Sequence, residues 1–350
     1  MRYGLPYKGS KNGIADWVCD NLPNAENFYD LFCGGCAITH CAMLRGKYKT
    51  YTINDIADTQ ELFYDAIIGK YQNETRWISR EDFFRLKDKD AYIRYLWSFG
   101  NNGKDYLYSR EVEPYKKALH YARVFNDFSE FEKMGIELKS ATSKNIIQHE
   151  KEIKEKYIKW AIKYFEFTDE EIKMYEELEK KGVFDNLIQG SVGTLQLKKR
   201  LQSLYILQSL QKLQSLQRLQ SLQKLQSLER LHSLQSLQRL EKFRGSYEDV
   251  KIKENSVIYC DIPYKGTAEY IGGFDHERFY QWARSQKELV VISEYSMPDD
   301  FICIARIEKS QLFNGKGKGK KVLEGLFIPR EQEKLYIRKQ TDLEQLLLDF

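Results

Sequence analysis

Phe28-Tyr29-Asp30-Leu31-Phe32-Cys33-Gly34-Gly35-Cys36 is the stretch that decides the fold. Four of its first five residues, all but Asp30, are apolar or aromatic, and none is Gly or Pro, the composition of a short buried strand. The two glycines then allow a tight loop and a close backbone approach to a ligand. Residues 37–45 read as a helix, 48–53 as a second strand ending in Asn54-Asp55, and 56–68 as a second helix. Strand, glycine loop, helix, strand, acid is the opening half of a doubly wound nucleotide-binding sheet.

Outward from that unit the pattern changes and later returns. Residues 71–193 are rich in aromatic, Lys and Glu residues with helical segments expected at 147–165 and 169–181, which reads as a helical module inserted into the sheet domain. Strands are expected again at 256–260, 289–293, 301–304, 326–328 and 335–337, with a helix over 274–285; the last two strands are expected to form a hairpin. The domain expectation is therefore a sheet domain in two halves, 1–70 and 245–350. Between them lie a helical module, 71–194, and a repeat insert, 195–244.

The repeat places Leu at every third position from Leu201 to Leu240, fourteen in all, mostly in Leu-Gln-Ser-Leu-Gln-Lys/Arg units. A period of 3 matches neither the 3.6 of an amphipathic helix nor the 3.5 of a coiled coil, so a leucine stripe on an α-helix would wind around it. Good helix formers and a solenoid-like period leave helix and compact solenoid both open. Ten Lys/Arg against two acids make residues 195–244 +8 within a chain of net +4, leaving −4 elsewhere. The segment reads either as a basic spacer facing a polyanion or as a solvated linker.

At 350 residues, 42% hydrophobic and 30% charged, the chain has the composition of a globular protein with one large core and an inserted module. No apolar run reaches the roughly 18 residues of a membrane span, and the first residues lack a signal-peptide core. Six cysteines in this length do not make a disulfide scaffold. A cytoplasmic, monomeric protein is the expectation.

The strand at 256–260 delivers Asp261-Ile262-Pro263-Tyr264 to its C-terminal end, where open α/β sheets bind ligands. A carboxylate beside an aromatic ring suits a planar, amine-bearing substrate such as a nucleobase. With this tetrapeptide, four further elements occur in order: Tyr7-Lys8-Gly9-Ser10-Lys11, Asp30-Leu31-Phe32-Cys33-Gly34-Gly35-Cys36, Asn54-Asp55 and Gly245-Ser246-Tyr247. Together they resemble the Dam-like N6-adenine DNA methyltransferases of the amino-α class. The resemblance implies a Rossmann-like methyltransferase sheet split by a helical target-recognition insertion, here with the Leu-Gln-rich tandem repeat added.

It further implies S-adenosylmethionine as cofactor, flipped adenine in double-stranded DNA as substrate and, in a restriction-modification or phage setting, a companion restriction endonuclease. Asp261, Ile262, Pro263 and Tyr264 would be the catalytic set. Asp261 and the Ile262 carbonyl would orient the amino group and Tyr264 would stack on the base. Tyr7, Lys11, Asp30, Phe32, Gly34, Gly35, Asp55 and Tyr247 would hold the cofactor, Lys11 pairing with its carboxylate and Asp55 with its ribose. No metal is expected. Three positions depart from the family pattern: Ile262 stands for a proline, Cys36 for a small Gly and Ser246 for an Asp. Cytosine-N4 methylation and a non-catalytic DNA-binding relic are the alternatives.

Other features admit two readings each. Cys33-x-x-Cys36 could be redox-active or metal-binding instead of part of a cofactor loop. His40 reads as a packed or capping residue. Trp97 and Phe99, ahead of Gly100-Asn101-Asn102-Gly103-Lys104, mark a packed turn or a DNA-contacting loop. Lys316, Lys318, Lys320 and Lys321, spaced by Gly, are phosphate contacts or a mobile hairpin tip.

Overall fold

The computed structural model describes residues 3–180, 226, 228, 239–264, 273–311 and 320–348. Its frame is a seven-stranded sheet in the order β3-β2-β1-β4-β5-β7-β6. The strands are β1 (Asn27–Asp30), β2 (Thr50–Asp55), β3 (Leu240–Arg244), β4 (Ser256–Cys260), β5 (Leu289–Glu294), β6 (Phe301–Gln311) and β7 (Lys320–Pro329). The first five in this order run parallel, and β7 inserts antiparallel between β5 and β6. This is the mixed α/β sheet expected of a methyltransferase. The central strands β1, β4 and β5 are buried along their whole length, as strands covered on both faces must be.

The helices among the described residues are α1 (Ala15–Asn21), α2 (Ala37–Leu44), α3 (Thr59–Ile67), α4 (Arg80–Leu86), α5 (Ala91–Leu96), α6 (Glu113–Phe125), α7 (Ser129–Glu132), α8 (Glu150–Tyr164), α9 (Asp169–Lys180), α10 (His276–Ser285) and α11 (Glu333–Leu348). Their starts follow local chemistry. Ser79, Asp90 and Asp275 each accept a backbone N–H from the first turn of α4, α5 and α10.

Among the described residues, packing forms three cores. One side of the sheet meets α1–α3 and continues through Tyr71, Phe83, Tyr92, Trp97 and Tyr108. The other side gathers Tyr29, Ile258, Cys260, Ile262, Phe279 and Tyr280. A separate helical core surrounds Tyr115, Phe131, Ile153 and Tyr157. Within the expected 71–194 stretch, residues up to Tyr108 therefore pack with the sheet, and the independent core begins near α6.

Three expectations give way to different local structure. Residues 335–337 lie inside α11, because the Glu, Lys, Gln and Leu around this apolar triplet favour helix. The terminal hairpin is formed instead by β6 and β7, far longer than their apolar cores at 301–304 and 326–328 suggested. Residues 240–244, counted with the repeat, form β3 and extend the sheet beyond β2.

Most of the repeat lies outside the described residues. Gln226 and Leu228, which are described, dock on the sheet domain: the Gln226 amide donates to the Tyr71 and Gln72 carbonyls at 3.1 and 2.9 Å. Leu228 is buried in the first core. No helix among the described residues is long and apolar enough to cross a membrane.

Candidate active site

The chain reverses its winding between β1 and β4, which are adjacent and parallel and lead to strands on opposite sides. In sheets of this kind the ligand position lies at the C-terminal ends of these two strands. β1 ends in Asp30 and the glycine loop, and β4 runs directly into Asp261.

The glycine loop is built from close contacts. Leu5 N–H donates to the Gly35 carbonyl at 2.7 Å, laying the N-terminal segment across the loop. A Cβ on Gly35 would stand 2.8 Å from Tyr7 Cβ, so only glycine lets Tyr7 lie there. Cys36 adopts a left-handed conformation at φ 55° and starts α2. Burial pushes the thiols of Cys33 and Cys36 above their ordinary value, which disfavours the thiolate needed for redox or metal chemistry. His40 accepts a hydrogen bond from Gly4 N–H through Nδ1 at 2.8 Å, a packed and hydrogen-bonded role.

Asp30 is almost fully buried. Thr39 Oγ1 donates to its Oδ2 at 2.7 Å, while Oδ1 has no hydrogen-bond partner among the described residues. Burial pushes its carboxyl up to about 7, and the carboxylates of Asp261 and Asp55 add to the rise. Asp55 closes β2 and accepts Gly34 N–H at 2.8 Å and Ala57 N–H at 2.9 Å. Phe32 and Tyr247 are half-buried with ring centroids 5.3 Å apart, in a cluster with Phe274 and Phe279. Ser246 caps the short turn that carries Tyr247.

The tetrapeptide forms a second, charged group. Lys11 Nζ lies 2.8 Å from Asp261 Oδ1 and 3.2 Å from Glu324 Oε1, and it also donates to the Tyr264 hydroxyl. The Tyr264 hydroxyl donates to Glu324, as does Ser293 Oγ at 2.7 Å, and Lys309 pairs with the other Glu324 oxygen. Lys11 is also 4.3 Å from the Tyr264 ring centroid, and Tyr295 stands edge-on to that ring at 4.5 Å.

The charges within this group are set by competing terms. Burial pulls Lys11 down, but Asp261 and Glu324 outweigh it and leave the amine above its ordinary value. Burial raises Asp261, and Lys11 offsets only part of the rise. For Glu324 the order reverses: burial pushes up, yet Lys11 and Lys309 together hold the carboxyl below its ordinary value. Glu324 is thus the firmly ionised carboxylate, and Asp261 the more basic one.

The sequence reading gave Lys11 to a cofactor carboxylate; among the described residues its partners are Asp261, Tyr264 and Glu324. Glu324, Ser293, Lys309 and Tyr295 went unread. The one available signal was an acid set inside the apolar run of β7. Ile262 is buried in the second core, 1% exposed, and Pro263 follows it.

The Trp97–Lys104 stretch divides between its two readings. Trp97 is fully buried and edge-on to Trp77 at 5.1 Å, whereas Phe99 is 67% exposed at the tip of a turn. Tyr95, just before it, meets Tyr7 edge-on at 5.6 Å, so this turn borders the glycine loop. Lys316 and Lys318 lie outside the described residues; Lys320 opens β7 and Lys321 pairs with Glu308.

Two comparisons bear on this geometry. The family model for D12 class N6 adenine-specific DNA methyltransferases matches residues 7–183, half of the chain. No curated protein matches the chain significantly.

Proposed function

The chain belongs to the D12 class N6 adenine-specific DNA methyltransferases, and from that premise we propose that its methyl donor is S-adenosylmethionine and that its chemistry occurs at Asp261. The observation that carries the reading is the position of Asp261 and Tyr264. Both sit at the end of β4, beside the glycine loop of β1, and are held by one buried lysine.

The residues present fit this cofactor. Asp30 Oδ1 is a buried acceptor without a donor among the described residues, and the ammonium of an amino-acid moiety would supply one. Asp55 accepts backbone N–H groups through both oxygens, each of which keeps a lone pair for ribose hydroxyls. Phe32 and Tyr247 would wall a flat base, and Tyr7, Gly34 and Gly35 shape the loop between. When bound, S-adenosylmethionine supplies an electrophilic methyl carbon on a sulfonium.

The chain's own residues do the rest. The Asp261 carboxylate and the Ile262 carbonyl accept hydrogen bonds from the adenine amino group and turn its lone pair outward. Burial has made Asp261 more basic, which suits it to take the proton that the amine sheds after methylation. Lys11 holds Asp261 in place. The target base must leave the duplex, at a cost of a few kcal/mol, and stacking on the Tyr264 ring offsets roughly 1–3 kcal/mol of it. Phe99 and exposed Lys104, beside the glycine loop, would face the DNA.

The test is label transfer from S-adenosylmethionine to unmethylated genomic DNA, followed by nucleoside analysis. All label in N6-methyldeoxyadenosine is the expected result. Label in N4-methyldeoxycytidine, or none in DNA, overturns the reading.

A further inference from the structure

The catalytic turn carries Ile262 where the resemblance implies a proline, and so has one fewer fixed φ angle. Two contacts compensate. The Ile262 side chain is buried among Cys260, Phe279 and Tyr280, which restrains that residue through packing. At the next residue, the His276 Nε2 nitrogen lies 2.8 Å from the Pro263 carbonyl oxygen. A carbonyl only accepts, so the imidazole donates and Nε2 carries the proton.

The effect of that bond follows from backbone geometry. The ring of Pro263 fixes its φ near −65°, and anchoring its carbonyl fixes the plane of the following peptide and therefore ψ. Both soft dihedrals of residue 263 are then determined, and the Cα of Tyr264 with them. The anchor itself is rigid. His276 is the first residue of α10, whose start is capped by Asp275 and whose Phe279 and Tyr280 are buried against the β4 side of the sheet. Its ring stands edge-on to Phe274 at 4.9 Å and leans on Tyr280 at 6.1 Å, so packing from both sides limits its rotamer.

We propose that His276 is a positioning residue for methyl transfer: it fixes the Pro263–Tyr264 peptide and so holds the Tyr264 ring where the target base must stack. The inference rests on the site assignment made under Proposed function. It requires no change of protonation, since neutral and charged imidazole both donate from Nε2.

Three variants separate the hydrogen bond from the packing. His276→Phe keeps the ring contacts and loses the donor, His276→Ala loses both, and His276→Gln offers an amide N–H at similar reach. The measurement is the single-turnover rate of labelled methyl transfer to unmethylated genomic DNA, with the KM for S-adenosylmethionine and the melting temperature of each protein. His276→Phe and His276→Ala should slow transfer about tenfold, the equivalent of one neutral hydrogen bond, with KM for the cofactor unchanged. His276→Gln should recover to within about threefold of the parent by the same reasoning.

A parent-like rate in His276→Phe, or a His276→Gln rate as low as that of His276→Ala, overturns the proposal. Asp261→Ala run in parallel tells the two levels apart. If it transfers normally, the site assignment fails and the role of His276 with it. If it is inactive while His276→Phe is normal, only the His276 inference fails.

Discussion

Replacing Glu324 by Gln keeps the shape and one acceptor oxygen but removes the charge on which two lysines converge. Glu324 is fully buried and takes Lys11, Lys309, Tyr264 and Ser293. Removing one partner of a buried ion pair costs about 3–5 kcal/mol, because the other charge is left without compensation. The low end applies here, since Lys11 keeps Asp261 and the amide oxygen still accepts from Tyr264 and Ser293. An unfolding entropy of about 2.1 cal/mol/K per residue then converts about 3 kcal/mol into a melting temperature roughly 4 °C lower for a chain of this length.

The pH dependence of that loss is fixed in sign. Glu324 is held below its ordinary value of 4.5. A depressed carboxyl contributes stability that is present above the unfolded value and lost as pH falls through the folded one. The gap between parent and Glu324→Gln should therefore be full at pH 7 and shrink below about pH 4. Transfer should also slow about tenfold or more, as Tyr264 and Lys11 lose a charged hydrogen-bond partner. Thermal unfolding at pH 7 and at about pH 3, with single-turnover methylation at pH 7, checks both effects. A variant that melts within 1 °C of the parent and transfers at the parent rate refutes the role given to this carboxylate.

Other perturbations probe separate parts of the account. Asp30 is the opposite pH case: burial lifts its carboxyl to about 7 from 3.8, so its contribution is fully present below 3.8 and lost as pH rises through about 7. Urea unfolding should show the parent losing up to about 4 kcal/mol relative to Asp30→Asn between pH 4 and 8; parallel pH curves would count against it. Ile262→Ala opens a cavity in the second core and should cost about 2–4 kcal/mol in the same assay, while a loss under 1 kcal/mol would show that burial does not hold this residue.

How much of this was legible depended on the range of the interactions. β1, the glycine loop, α2 and β2 are consecutive and patterned by short apolar runs that end at Gly or Asp, so local rules found them. The Asp261 turn was found because it combines a strand end with three chemically distinctive residues. β3 was hidden because its five residues continue a low-complexity run and pair only through the distant β2. The outer parts of β6 and β7 are polar and were seen only at their apolar ends. The Lys11–Asp261–Glu324 group joins three segments that are distant in the chain, and only hairpin register turns Glu324 inward. Lys11 was singled out from its motif, but its pairing with Asp261, Tyr264 and Glu324 was not, since a motif names a residue type and not its neighbours.

The most direct test of the central claim is a paired measurement on Asp261→Ala: S-adenosylmethionine binding by calorimetry, and formation of N6-methyldeoxyadenosine in unmethylated genomic DNA. The account predicts binding within a few-fold of the parent and no detectable methylated adenine. Methylated adenine formed at the parent rate by Asp261→Ala would contradict it.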